Sequence, residues 1–179
     1  MAVSTPTLRD TLLRAAVKRL YRLHLTEEIL DEVRRNLLKS GRIADPRLAD
    51  RLVEQIRRAF PGSMVEGYST LMPKMANHPK DRHVLAAAVA AGASVIVTHN
   101  LGDFPIQALD PYRVIAQSPD DFLVALYAAS PDAMHRILQE QSASLRFPQM
   151  SVEEILDRLA HQQVPRFADL MRKRVESVS

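Results

Sequence analysis

Residues 81–105 read DRHVLAAAVAAGASVIVTHNLGDFP, and this stretch sets the fold class. Residues 84–91 are apolar without exception, and a helix that is apolar on every side belongs inside a fold. Gly92 supplies the stop. Residues 94–98, SVIVT, form a short β-branched run with no polar alternation, the pattern of a parallel strand covered on both faces. A buried helix feeding directly into such a strand predicts an α/β fold. In open parallel sheets, binding and catalytic groups collect beyond the carboxyl ends of the strands, which is where Thr98, His99, Asn100, Leu101, Gly102 and Asp103 fall.

Two aspartates bracket the stretch. Asp81 follows Pro79 in the first turn of the helix, where free backbone N–H groups and the helix dipole favour a carboxylate. Taken singly, Asp81 reads equally as a helix cap and Asp103 as a turn residue. Taken together they point to a site, because the end of a strand and the start of the helix feeding it lie at the same edge of a right-handed parallel unit. Two carboxylates about 4 Å apart repel by roughly 4 kcal/mol at an effective dielectric of about 20. Such a pair calls for a proton or a divalent cation, and hard cations with oxygen ligands are its natural partners.

The same residues resemble the PIN-domain family, in which an Asp opens a buried helix and a strand ends in T-x-N-x-x-D-F, here Thr98, Asn100, Asp103 and Phe104. The resemblance runs from about Leu8 to about Arg172 and is closest to the subgroup carrying extra C-terminal helices, as in VapC-like toxin ribonucleases. It implies a three-layer α/β fold with a short parallel sheet flanked by helices, followed by a C-terminal helical extension. It also implies a Mg²⁺- or Mn²⁺-dependent endoribonuclease, often the toxin of a toxin–antitoxin pair, with RNA as substrate and an antitoxin protein as partner. Homodimerisation is expected on the same ground. The family's second acid is a Glu in an earlier helix, and Glu32 in ILDEVRRNL takes that place. On the residues alone, Glu32 flanks the apolar stripe Ile29, Leu30, Val33, Leu37, and reads equally as a surface carboxylate beside Arg35 or Asn36. The implied catalytic and metal-binding set is therefore Glu32, Asp81 and Asp103, with Thr98 and Asn100 supporting it. The alternative is a catalytically degenerate scaffold that binds RNA or a protein without cleaving.

Bulk properties agree with this class. The chain has 179 residues, 46% hydrophobic content and a net charge of +3, enough for a real core and mildly basic, which permits an anionic partner. There is no cysteine, so disulfides and thiolate metal sites are excluded and a reducing cytoplasm is the expected home. No apolar run reaches the roughly 18 residues of a membrane span. Lys80 and Arg82, with Lys74, sit on the loop leading to Asp81, placed to contact RNA or simply solvated. His78, His83 and His99 raise a second possibility, a transition-metal site shared with Asp81 and Asp103. They lack the i, i+4 spacing of a helical zinc motif, and a carboxylate set suits Mg²⁺ or Mn²⁺ over zinc.

Around the central stretch, patterning predicts an amphipathic helix over residues 8–21 packed on the sheet through Leu12, Leu13, Ala16, Val17 and Leu20. A second helix begins at Thr26, and a third at Asp45-Pro46 with the stripe Leu48, Leu52, Ile56, Phe60. A short strand is expected over residues 64–68 and the last one over residues 113–117. Helices then start at Ser118, at Ser130-Pro131 with an end near Arg146, at the Ser151/Glu154 capping box, and at Pro165. The domain division is 1–117 for the nuclease domain and 118–179 for the helical extension. The family pattern also opens on a buried strand ending in an acid, and aligning Leu8-Arg9-Asp10 places both before Met1. MAVSTPTLRD holds no apolar run for that strand. The 179-residue chain is accordingly expected to bind metal weakly and to cleave RNA poorly or not at all.

Overall fold

Side-chain caps begin four of the α-helices among the described residues. The computed structural model describes residues 5–41, 43–145 and 149–178. In chain order these form α1 (Pro6–Val17), α2 (Glu27–Lys39), α3 (Pro46–Ala59), α4 (Arg82–Ala90), β1 (Val95–Val97), α5 (Ile106–Leu109), β2 (Ile115–Gln117), α6 (Pro119–Ala129), α7 (Pro131–Ser144), α8 (Val152–His161) and α9 (Pro165–Val178). The Thr26 hydroxyl accepts the Ile29 N–H at 3.1 Å, Asp45 accepts the Arg47 N–H at 2.9 Å, and Ser118 accepts the Asp121 N–H at 3.1 Å. Ser151 and Glu154 close a reciprocal capping box at the start of α8. Each such cap satisfies a donor that the first turn cannot pair internally. The expected end of α7 near Arg146, like residues 1–4, lies outside the described residues.

The chain divides into two compact units. The first, Arg22–Ala116, is an α/β unit in which β1 and β2 pair as a short parallel sheet. Helix α4 lies inside it, with Leu85, Ala86, Ala87 and Ala88 buried. Gly92, at φ +63°, closes α4 in the left-handed conformation while the Ala93 N–H reaches back to the Ala88 carbonyl at 2.9 Å, so the apolar run stops where glycine permits it. Met75, Leu85, Ile96, Phe104, Leu109 and Val114 pack together as the core of this unit. Only Ile96 of β1 is fully buried, less cover than its sequence suggests. The strand expected over residues 64–68 reduces to one parallel bridge between Leu25 and Met64. Gly67 at φ +72° then turns the chain into a 3₁₀ segment, Tyr68–Lys74, which ends any extended run.

Helices α2 and α3 pair in the first unit, with Arg57 joined to Glu27 and Arg34 to Asp50. The buried stripe of α3 is Ala49, Val53 and Ile56; it keeps Ile56 of the expected stripe but has Ala49 and Val53 in place of Leu48 and Leu52, and Leu48 is 49% exposed.

The second unit joins the segment ending at Tyr21 to the chain from Gln117 onward. Here α1 packs on α7 and α8. Its buried face is Leu8, Leu12, Ala15 and Ala16 together with Thr7 and Thr11, and Val17 is 61% exposed. The Thr11 hydroxyl lies 2.8 Å from the Gln141 side-chain oxygen, and the Gln141 amide donates to the Thr7 carbonyl at 3.1 Å. A polar seam of this kind, paired across 130 residues, sets the phase of the buried face by hydrogen bonds as well as by apolar spacing. Buried Asp120 at the start of α6 accepts the N–H groups of Arg166 (3.1 Å) and Phe167 (2.9 Å), capping α9 from another helix. Asp120→Ala is expected to lower stability by about 1 to 3 kcal/mol, since it strands two donors at a helix start. Urea unfolding of this variant that matches the parent would show the cap to be dispensable.

Candidate metal centre

Beyond the carboxyl end of β1 the chain folds on itself. The buried Thr98 hydroxyl accepts the Asn100 N–H at 3.1 Å, the Asn100 carbonyl accepts the Asp103 N–H at 3.2 Å, and the Leu101 carbonyl accepts the Phe104 N–H at 3.0 Å. Phe104 is buried in the core, so the residue after Asp103 anchors the turn that presents it. The Asp103 carbonyl in turn accepts the His78 N–H at 3.0 Å. That bond ties this turn to the loop before α4.

Asp81 stands at the N-cap position of α4, yet its carboxylate caps nothing. The reading of Asp81 as a helix cap is thereby excluded. One donor atom each from Asp81, Asp103 and His78 lie within 4.8 Å of one another, and His78 Nδ1 is 3.6 Å from Asp81 Oδ2. Donors bound to one cation at about 2.1 Å stand about 3 to 4 Å apart, so a small inward adjustment suits the trio to a divalent ion. Two carboxylates and an imidazole, with Asp81 drawn from its local hydrogen-bonding role, are a chemically fitting donor set.

The structure brings Asp81 and Asp103 together as the sequence led one to expect, and it adds His78. The signal for His78 was present in His78-Pro79-Lys80-Asp81. Pro79 opens a 3₁₀ turn, Pro79–Asp81, with His78 as its N-cap, and side chains three apart eclipse in a 3₁₀ turn. A search for α-helical i, i+4 pairs passes over that spacing. Glu32 stands outside the trio, its carboxylate 3.5 Å from Nε2 of the buried His83 in the first turn of α4. That nitrogen makes no hydrogen bond. Asn100 is exposed and Thr98 supports the turn through the Asn100 backbone. Lys74 and Lys80 are exposed, and the Nε of half-buried Arg82 is enclosed without a hydrogen-bond partner.

The sequence has relatives among known proteins. A model of the PIN domain matches residues 2–102, more than half of the chain. The chain belongs to the PIN-domain family. A model of the VapC50 C-terminal domain matches residues 119–173, so the helices after β2 correspond to an extension found in VapC-like members. Over 107 residues the chain is 43% identical to a protein of Mycobacterium tuberculosis (strain ATCC 25618 / H37Rv) named "Putative ribonuclease VapC50"; that match covers 60% of this chain and 63% of the relative. No solved structure matches. No helix among the described residues is long and apolar enough to cross a membrane.

Proposed function

We propose that this PIN-domain chain is a divalent-metal-dependent endoribonuclease, the toxin member of a toxin–antitoxin pair. The observation that carries the reading is the convergence of Asp81 and Asp103 at the carboxyl end of β1, with Asp81 withheld from capping its own helix. The name of the Mycobacterium tuberculosis relative agrees with it. Asp81 and Asp103 hold the ion, Mg²⁺ or Mn²⁺, with Glu32 as the third acid of the family set. A bound divalent cation supplies Lewis acidity toward the attacking water and the leaving 3′ oxygen. The chain's own groups position the rest. The Thr98 bond to the Asn100 amide keeps Asp103 at the strand end, Phe104 fixes the turn from below, and Lys80 and Arg82 meet the RNA phosphates. Because Glu32 stands outside the trio, cleavage by this chain is expected to be slow.

A fluorogenic RNA substrate tests the proposal. Slow cleavage in Mn²⁺ is expected to stop in excess EDTA, to return when Mn²⁺ is added back, and to be absent in Asp103→Asn. Cleavage that persists in excess EDTA would sink the mechanism. The placement of Glu32 against His83 favours one second reading, a scaffold that holds RNA without cutting it. That reading predicts a rise in RNA fluorescence anisotropy on binding, with the substrate intact after prolonged incubation in Mn²⁺.

A further inference from the structure

We infer that His78 is a ligand of the metal, and that this nitrogen donor makes the site select Mn²⁺ over Mg²⁺. The inference rests on the metal-centre reading of Asp81 and Asp103 and adds to it a residue and a preference. Three features of the chain converge on His78. Its ring shares the 4.8 Å group with one oxygen from each aspartate. Its backbone N–H is bonded to the Asp103 carbonyl at 3.0 Å, and the 3₁₀ turn stacks it on Asp81. The third feature is its hydrogen-bond role. Nδ1 stands 3.6 Å from Asp81 Oδ2 and 3.4 Å from the Lys80 N–H, so the ring edge that meets the aspartates is not held by a strong hydrogen bond. The Lys80 contact is long for a hydrogen bond, so little is lost when the nitrogen turns to a metal.

The chemical consequence follows from donor type. Mg²⁺ takes oxygen ligands in near-ideal octahedral geometry and dehydrates reluctantly, whereas imidazole nitrogen is a donor for first-row transition ions. An all-carboxylate centre accepts Mg²⁺ and Mn²⁺ alike; one that includes His78 discriminates between them.

Calorimetric titration with Mn²⁺ and separately with Mg²⁺ tests this on the full chain, together with electron spin-echo modulation of the Mn²⁺-loaded protein, which detects a directly bound nitrogen. The parent is expected to bind Mn²⁺ at least about tenfold more tightly than Mg²⁺ and to show nitrogen modulation. His78→Ala is expected to weaken Mn²⁺ by about tenfold or more, a factor in the range seen when a residue supporting a metal is lost, and to change Mg²⁺ much less. His78→Asn keeps an acceptor for the Lys80 N–H and so preserves the turn, yet it too is expected to lose the nitrogen modulation and the preference. Matching thermal transitions of the metal-free variants and parent separate ligation from folding. Mn²⁺ binding that Asp81→Asn weakens but both His78 variants leave unchanged, or nitrogen modulation that survives His78→Asn, would overturn the role of His78 while the aspartate centre stood. A parent that binds no Mn²⁺ would overturn both.

Discussion

Asp81→Asn is expected to lower Mn²⁺ affinity at least about a hundredfold, close to 2.7 kcal/mol, while leaving the metal-free chain within about 1 kcal/mol of the parent. The two halves of this result have separate physical origins. Asp81 is one of two anions in the trio, and replacing it removes a charged oxygen that attracts a doubly charged ion across a partly buried gap. In the metal-free chain the same charge faces Asp103 and is unfavourable, which offsets the roughly 0.3 to 1 kcal/mol it gains from the dipole of α4. No cap is lost, because the carboxylate makes none. Calorimetric titration gives the first quantity and thermal unfolding the second. A variant that keeps the parent's isotherm, or one destabilised by several kcal/mol without metal, would show that Asp81 serves the helix and not an ion.

Phe167→Ala is expected to destabilise the second unit by about 3 to 5 kcal/mol, the range for emptying a phenylalanine site in a packed core. Phe167 is 0% exposed and is the largest of the fully buried side chains among the described residues. It lies on α9, which packs against α6 and α8, and its own backbone N–H is taken by Asp120, so the surrounding helices are pinned and cannot collapse into the space. A cavity that cannot close is the costly kind. Set against a typical domain stability of about 5 to 15 kcal/mol, the loss should move the urea midpoint far to the left. Val17→Ala in the same unit, at a side chain 61% exposed, should stay within about 0.5 kcal/mol. Equal midpoints for Phe167→Ala and Val17→Ala would contradict this account of the core.

The parts of the structure that the sequence disclosed are those decided within a few residues. The all-apolar helix α4, the left-handed stop at Gly92, the short strand β1, the capping box of α8 and the turn that presents Asp103 are each set by neighbours along the chain. The departures are all decided across it. Helix α1 is amphipathic, but the phase of its buried face follows from Gln141, whose amide satisfies Thr7 and Thr11. In α3 the leucines mark an apolar side, and the approach of α2 decides that the smaller Ala49 and Val53 face inward. At residues 64–68 the β-like texture lacks a neighbouring strand able to extend its single bridge to Leu25. His78 is the informative case at the site: its position is local, yet it is visible only when the proline-set 3₁₀ turn is allowed for, and the α-helical template hides it.

The pairing of α1 with α7 and α8 sets an order of events during synthesis. Helix α1 is synthesised well before its partners, since Thr11 waits for a residue 130 positions later and the Leu8 N–H for Gln162, 154 positions later. The whole of Arg22–Ala116 is made in that interval, so the α/β unit has all of its residues before the helical unit has its own. Until α7 and α8 exist, the apolar face carrying Leu8 and Leu12 has no docking surface within its unit. Closing so long a loop is slow, and a nascent chain with an uncovered apolar helix is the kind of species that chaperones hold.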